Sequence, residues 1–448
     1  MVLELTALTA RSPYAIAAEV SRQVDDGILA PGERLPTVRE IAADLGVSAG
    51  TVSAAWRALS GAGVIISRGR AGTFVRAERR DWLSARVQDL AGSRPEARLD
   101  LSLGTPDPAM LPTLEHALAH VAPRADTGRY HDVPALPELE ALLRASWPVP
   151  NVEALTIVDG ALDGISRTLE QVVRFGDRVA VESPGFPYLF DLIDALGAEA
   201  VPVALDADGI TPASLVRALS TRPAALLLQP RAHNPTGVSM SRDRARSLAG
   251  ILATAPSGRA VTVIEDDHSA MICSAPDVTL GRWLPRQVVH VRSFAKSHGP
   301  DLRIAALGGP APLVERIVAR RMLGPAWTSR LLQTLLLELL TAPASIARVR
   351  TARLVYRDRV DRVAAALRRL GLDVGDPDGL NLWLPVIDER AALVRLAASG
   401  IAAAPGAPFV APGVASPPHV RVTAGMVAEN ARLVAEALAD AAAAPAVG

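Results

Sequence analysis

The chain has 448 residues, 21% of them charged, and its 47 basic side chains balance 47 acidic ones to a formal net charge of zero. A neutral total and the lack of any unbroken apolar run of the roughly 20 residues of a membrane-spanning helix lead to the expectation of a soluble intracellular protein with no membrane anchor. The lone cysteine, Cys273, excludes an intrachain disulfide, and Met1 to Thr6 lacks the basic start and apolar core of a signal peptide, so a cytoplasmic location is expected.

Charge is unevenly placed along the chain. Met1 to Trp56 holds four arginines against seven acids, whereas Arg57 to Arg80 holds six arginines against Glu78 alone, a local basic patch suited to phosphates or simply a solvated face. Tyr14 to Leu29 spaces Ile16, Val20, Val24 and Ile28 as a helix, stopped by Pro31-Gly32. A second helix is predicted from the cap Thr37, with Glu40 completing a capping box, to a stop near Gly46. A third follows from the cap Ser48 to Leu59, so that two short helices meet at a tight glycine turn. Val64 to Ser67 and Gly72 to Val75 then flank Arg68-Gly69-Arg70-Ala71 as a small basic hairpin, a wing.

Gly27 to Arg39 (GILAPGERLPTVR), Leu45-Gly46-Val47-Ser48 and Gly69 to Val75 together resemble the GntR-type winged helix-turn-helix, over nearly all of residues 12–76. The resemblance implies that Arg39, Ser48, Thr51, Gly69 and Arg70 face double-stranded DNA, with the arginines on phosphate or groove and the hydroxyls on phosphate or base edges. Ala49, Gly50 and Ser53 stand where larger polar or basic side chains are common, so sparse base readout is expected. The DNA-binding domain is placed at residues 1–78 and a mixed-charge linker, helical at its start, at 79–98.

From Leu99 onward short apolar runs alternate with amphipathic helices: Arg178 to Glu182, Ala224 to Gln229, Ala260 to Glu265 and Val288 to Val291. This is the pattern of an α/β domain with a mostly parallel sheet covered on both faces, whose ligands bind at the C-terminal strand ends. The domain is placed at 99–440, with a large subdomain at about 130–315 and a smaller α+β subdomain at about 316–440. Four clusters follow the strands. Asp159 to Ile165 is a glycine-rich helix start, either an ordinary turn or a phosphate cradle. Pro184-Gly185-Phe186-Pro187-Tyr188 offers an aromatic for the core or for a flat ring. Arg231 to Gly237 includes Asn234, and Ile264 to His268 sets Asp266 at a strand end.

The last cluster, Ser293-Phe294-Ala295-Lys296 with Arg303 beyond it, contains the only lysine, so 46 of the 47 basic residues are arginine. Either arginine-rich coding left one lysine, or this position needs a primary amine that can form a Schiff base, which a guanidinium cannot. Taken in order, the clusters resemble the fold-type I, pyridoxal-phosphate-dependent aminotransferases of class I over essentially all of residues 99–440. Joined to the winged helix, the chain resembles the MocR subfamily of GntR regulators.

That resemblance implies pyridoxal 5'-phosphate on Lys296 as an internal aldimine, Asp266 on the ring nitrogen, Asn234 on the phenolic oxygen and Phe186 against the ring. The phosphate would rest on Gly160, Ala161, Ser293 and Arg303, with Tyr130 reaching the phosphate of a partner subunit in a homodimer. Arg421 would take a ligand carboxylate and Gly104 would line the ligand pocket; no metal set is assigned. His268 stands where the family has tyrosine beside the phenolic oxygen; its imidazole N–H is expected to replace the hydroxyl, with a titration near about pH 6 to 7. The glycine usual after Tyr130 is missing as well. The expected function is a DNA-binding transcription regulator that senses an amino compound through an external aldimine at Lys296. The alternative is a working aminotransferase with an accessory DNA-binding domain.

Overall fold

The computed structural model describes residues 11–25, 27–30, 32–61, 64–67, 69, 72–75, 84, 86, 90, 97–123, 128, 130, 133–254 and 260–445. Three helices, α1 (Pro13–Asp25), α2 (Val38–Leu45) and α3 (Ala49–Gly61), pack against a sheet of β1 (Arg34–Leu35), β2 (Ile65–Ser67) and β3 (Thr73–Val75) in the order β1-β3-β2. Their core is Ile16, Val20, Leu45, Val52, Trp56 and Val75. The helix α1 ends at Asp25, short of the Leu29 that hydrophobic spacing predicts. Gly27 takes the left-handed φ of 72°, and the N–H groups of Ile28 and Leu29 both return to the Gln23 carbonyl. The capping box on α2 is present in both directions: Glu40 N–H donates to Thr37 Oγ1 at 3.3 Å and Thr37 N–H to Glu40 Oε2 at 2.6 Å. The β2–β3 hairpin forms where the wing is expected, and β1 adds a strand that its two residues are too short to announce.

The rest of the chain runs β4 (Leu99–Asp100), α4 (Glu115–Val121), α5 (Pro137–Ala145), β5 (Ala154–Val158), α6 (Ala161–Val172), β6 (Arg178–Ser183), α7 (Pro187–Ala195), β7 (Glu199–Asp206), β8 (Gly209–Ile210) and α8 (Pro212–Ser220). It continues through β9 (Ala225–Leu228), α9 (Arg242–Ala253), β10 (Thr262–Asp267), β11 (Val288–Ser293), α10 (Ala295–His298), β12 (Ala305–Gly309), α11 (Ala311–Met322), α12 (Arg330–Thr341) and α13 (Pro343–Arg369). Last come β13 (Leu382–Pro385), α14 (Glu389–Ala398), β14 (Ile401–Ala402), β15 (Ala404–Pro405), β16 (His419–Val422) and α15 (Ala431–Ala442).

The large sheet has the order β5-β12-β11-β10-β9-β6-β7-β8. Its centre, β11 to β7, is parallel, while β12 runs against both neighbours and β8 against β7. Successive side chains of a strand point to opposite faces, so Leu226 and Leu228 enter one core and Ala225 and Leu227 the other. That double burial is why these strands read as unbroken apolar runs. A smaller sheet, β13-β16-β15, lies under α13, α14 and α15 around Leu382, Leu396, Val420 and Leu438. The division between subdomains departs from the expected one near 316. The helices α11 and α12 bury Ile317 and Leu336 in the large-sheet cores, and the small core begins within α13 and recruits Leu101 from the start of the domain. No single helix among the described residues is long and apolar enough to cross a membrane.

Two described residues of the linker lie on α7. Ser84 Oγ donates to Asp191 Oδ2 at 2.5 Å, and the Arg86 guanidinium pairs with Asp191 and Asp194 at 3.4 and 3.6 Å while covering the Phe190 ring.

Candidate functional site

The parallel strands end at a cavity of about 310 Å3 between the large sheet and the small subdomain. It gathers Lys296, Asp266, Asn234, His268, Phe186, Gly160, Ala161, Ser293, Arg303, Arg421 and Gly104, drawn from positions 104 to 421 of the chain. Tyr130 is the one expected pocket residue that does not line it. Its side chain is 94% exposed, its ring edge-on to Trp327 at 6.2 Å.

Lys296 sits in the single turn α10, and its Nζ donates to the carbonyl oxygen of Gly104. Burial first, then repulsion from Arg421, lowers its amine to about 8, against the attraction of Asp266. Gly104 adopts a φ of 63°, and a Cβ there would lie 2.8 Å from Arg421 Nη1, so the position requires glycine on both counts. Arg421, on β16 of the small subdomain, is 4% exposed. It donates to the Ser102 carbonyl and to Asn234 Oδ1 at 3.4 Å, with its guanidinium over the Phe409 ring.

Asp266 is 3% exposed at the end of β10, and burial raises its carboxyl to about 6 despite the hydrogen bond from Gln229. Its Oδ2 accepts from Gln229 Nε2 at 2.8 Å, whereas its Oδ1 is buried without a protein partner. Sequence reasoning missed Gln229. The side-chain oxygen of Gln229 accepts from the Asn234 N–H at 2.8 Å, which orients its amide so that the NH2 end meets Asp266. The only sequence signal was a polar residue closing an apolar strand. Behind it, Glu182 accepts from the Gln229 N–H at 2.7 Å, and burial pushes its carboxyl well above the usual range. Asn234 Oδ1 faces Arg421 and Asn381, which leaves its amide NH2 as a donor.

His268 behaves differently from the expectation. A carbonyl oxygen only accepts, so the 3.0 Å contact between Nε2 and the Ala232 oxygen fixes the proton on Nε2, and Nδ1 is the acceptor beside Ser269 Oγ at 3.3 Å. Burial and the nearby Lys296 lower the imidazole to about 4. Through neutral pH the ring is therefore uncharged and has no N–H left for a phenolic oxygen, which corrects both the expected donor role and the expected titration near pH 6 to 7.

At the opposite end, Gly160 (φ 96°) caps α6, so the first amides of that helix open into the cavity. A Cβ on Gly160 would lie 2.9 Å from Arg303 Nη2, and Arg303 itself is held at a left-handed φ of 46°. Ser293 Oγ accepts from the Ala295 N–H at 3.3 Å. Phe186 lies against Tyr188 at 5.2 Å, and Leu90 of the linker closes part of the wall. Pyridoxal phosphate fits these groups. The open Asp266 oxygen matches a protonated ring nitrogen, the glycine-lined helix start with Arg303 matches a phosphate, and Lys296 is a primary amine that loses its proton more readily than an ordinary lysine.

On the winged helix, Arg39, Ser48 and Gly69 are exposed and Thr51 is half-buried. Ser48 caps α3 by accepting from the Thr51 N–H at 3.1 Å, and the two hydroxyls lie 2.8 Å apart. Among the described residues Arg39 has no acidic partner, so its charge is available to a phosphate. Gly69 turns the wing at φ 58°. Arg70 lies outside the described residues.

Residues 98–438 match the family described as aminotransferase class I and II, and residues 14–75 match the gntR family of bacterial regulatory proteins. The vitamin B6 salvage pathway transcriptional repressor PtsJ of Salmonella typhimurium is 36% identical over 411 residues, covering 90% of this chain and 92% of its own length. The HTH-type transcriptional regulator TauR of Rhodobacter capsulatus is 30% identical, covering 87% and 89%. Among solved structures, the α-aminoadipate aminotransferase LysN of Thermus thermophilus superposes with a TM-score of 0.67 at 22% identity, over 80% of this chain and 95% of its own, which shows the shared fold.

Proposed function

This chain belongs to the aminotransferase class I and II family and has a gntR-family winged helix ahead of that domain, the MocR arrangement; from that premise we propose a transcription regulator that holds pyridoxal phosphate and reports an amino compound to DNA. The observation that supports the reading is the chain's sole lysine, half-buried in the cavity with an acceptor oxygen of Asp266 left open and Arg421 reaching in from the other subdomain. Bound there, pyridoxal phosphate supplies an electrophilic carbonyl carbon and an electron-withdrawing ring. Lys296 offers the amine, and Asp266, ionised by a cationic neighbour, holds the ring nitrogen protonated. Gln229 steers Asp266 by occupying its other oxygen. Asn234 donates to the phenolic oxygen without help from His268, while Gly160, Ala161, Ser293 and Arg303 hold the phosphate and Phe186 covers the ring.

The effector class is a primary amine bearing an acid group. Arg421 takes the carboxylate as a planar fork, and the effector's amine comes to where the Lys296 nitrogen lies. Lys296, once replaced, can hold a proton beside the Gly104 carbonyl. Because Arg421 belongs to the small subdomain and Asn234 and Lys296 to the large one, a filled cavity draws the two together. The protein acts in the cytoplasm as a homodimer, with Tyr130 directed to the partner, and Arg39, Ser48, Thr51, Gly69 and Arg70 on DNA.

The test pairs two readouts on full-length protein: visible absorption during titration with amino acids and amines, and fluorescence anisotropy on an upstream promoter fragment. An amino compound that changes the absorption should change DNA affinity severalfold in the wild type and not in Lys296→Ala. DNA affinity indifferent to every compound that changes the absorption refutes the sensor.

A further inference from the structure

A second cavity, of about 460 Å3, lies on the other side of the strands that build the Lys296 site. Its base holds two arginines, Arg231 and Arg292, 6% and 8% exposed, in different electrical states. Arg231 is neutralised twice, by Asp267 at 2.7 Å and Asp277 at 2.5 Å. Arg292, among the described residues, has no carboxylate within ion-pair distance. Its Nη1 and Nη2 donate to Ser146 Oγ at 3.1 Å and the Ser146 carbonyl at 2.7 Å, and its plane lies over the Trp147 ring at 4.9 Å.

A buried guanidinium served only by neutral acceptors is costly to keep charged. Burial indeed lowers Arg292 below the usual arginine range, although Asp267 and Asp277 partly oppose it. Those two acids are already committed to Arg231. At the mouth, α13 adds Arg350 and Arg353, both exposed and, among the described residues, without an acidic partner. Three positive charges therefore converge on one cavity without acids of their own, while Leu142, Leu143, Phe294, Ile346 and Val349 make its walls apolar.

We propose that this cavity binds an amphipathic organic acid, with its carboxylate between Arg292 and the rim arginines Arg350 and Arg353 and its apolar body against Leu142, Met271 and Ile346. The ligand supplies the missing negative charge, and the walls favour a ring or branched chain over a compact inorganic anion. The site reaches the first cavity through shared strands. Arg292 is the residue before Ser293 on β11, and Asp267, held by Arg231, follows Asp266 on β10. An acid seated here would therefore lie one residue from Asp266 and Ser293, which line the first cavity. None of this rests on the cofactor reading.

Isothermal titration of the full-length protein with phenylacetate, and with phenylacetamide as the uncharged control, tests it. Phenylacetate should bind saturably, one per chain, at least about tenfold tighter than the amide, as expected for a charge-assisted contact. The Arg350→Ala/Arg353→Ala variant, altered only at exposed positions, should bind about fivefold more weakly, the effect of losing two solvent-exposed charge contacts. Arg292→Met should lose at least about twentyfold. Since Arg421 could also attract a carboxylate, the titration is repeated in Arg421→Ala, where binding should persist. No saturable binding, equal affinity for the amide, indifference to the rim variant, or loss in Arg421→Ala would each overturn the proposal. If Arg292→Met does not fold, the rim variant decides alone.

Discussion

Loading of the cofactor should follow the protonation of Lys296, because only the neutral amine attacks a carbonyl. Burial and Arg421 lower this amine from the ordinary 10.5 to about 8. A shift of that size raises the neutral fraction at pH 7 from roughly three in ten thousand to about one in ten, close to 300-fold. The assay is stopped-flow absorption of the apo chain mixed with pyridoxal phosphate between pH 6 and 10, each rate divided by that of a free lysine analogue to cancel the titration of the cofactor. The normalised rate should stand furthest above the analogue below pH 8 and lose its advantage progressively above it. A ratio that stays constant to pH 10 would refute the reasoning. Arg421→Gln removes the second cause, so the midpoint should rise and loading at pH 7 should slow. The same shift governs stability: between pH 8 and 10.5 the unfolded chain binds the proton that the folded chain has released, so the stability of the apo protein should increase with pH across that window.

Asp266→Asn removes the charge facing the ring nitrogen and should weaken cofactor retention by roughly tenfold to a hundredfold in equilibrium dialysis, the range for a lost charge-assisted hydrogen bond. The His268 imidazole, followed by NMR, should stay neutral down to below pH 5; a midpoint between 6 and 7 would restore the donor role that its bond to Ala232 denies it. Arg39→Ala should weaken promoter binding uniformly across sequences and reduce the slope of log affinity against log salt by about one, and an unchanged slope would remove Arg39 from the phosphate contacts.

What the sequence could disclose depends on how local each cause is. The capping box at Thr37 and Glu40, the Ser48 cap and the doubly buried strands are written within a few residues, and each stands where spacing puts it. The end of α1 was misjudged because apolar spacing persists to Ile28 while the chain has already turned at Gly27. The site residues other than Tyr130 meet in one cavity, since strand ends bring their neighbours together whatever the loops between them do. Gln229 and the tautomer of His268 were out of reach, because each is decided by a contact between separate segments: the Asn234 N–H for one, the Ala232 carbonyl for the other. The convergence of Arg292, Arg350 and Arg353 is likewise invisible in a chain where arginine is everywhere.

The segment joining the two domains is more than a spacer. Leu90 is part of the chamber around Lys296, while Ser84 and Arg86 grip α7, the helix that Phe186 begins at the chamber's edge. From Phe186 to Asp194 the helix spans about 12 Å, stiff along its axis. The winged helix meets this helix directly as well, since α3 contacts α7 and Phe175 packs against the winged-helix core. The helix that starts at the chamber wall is therefore also the surface on which the linker and the winged helix converge.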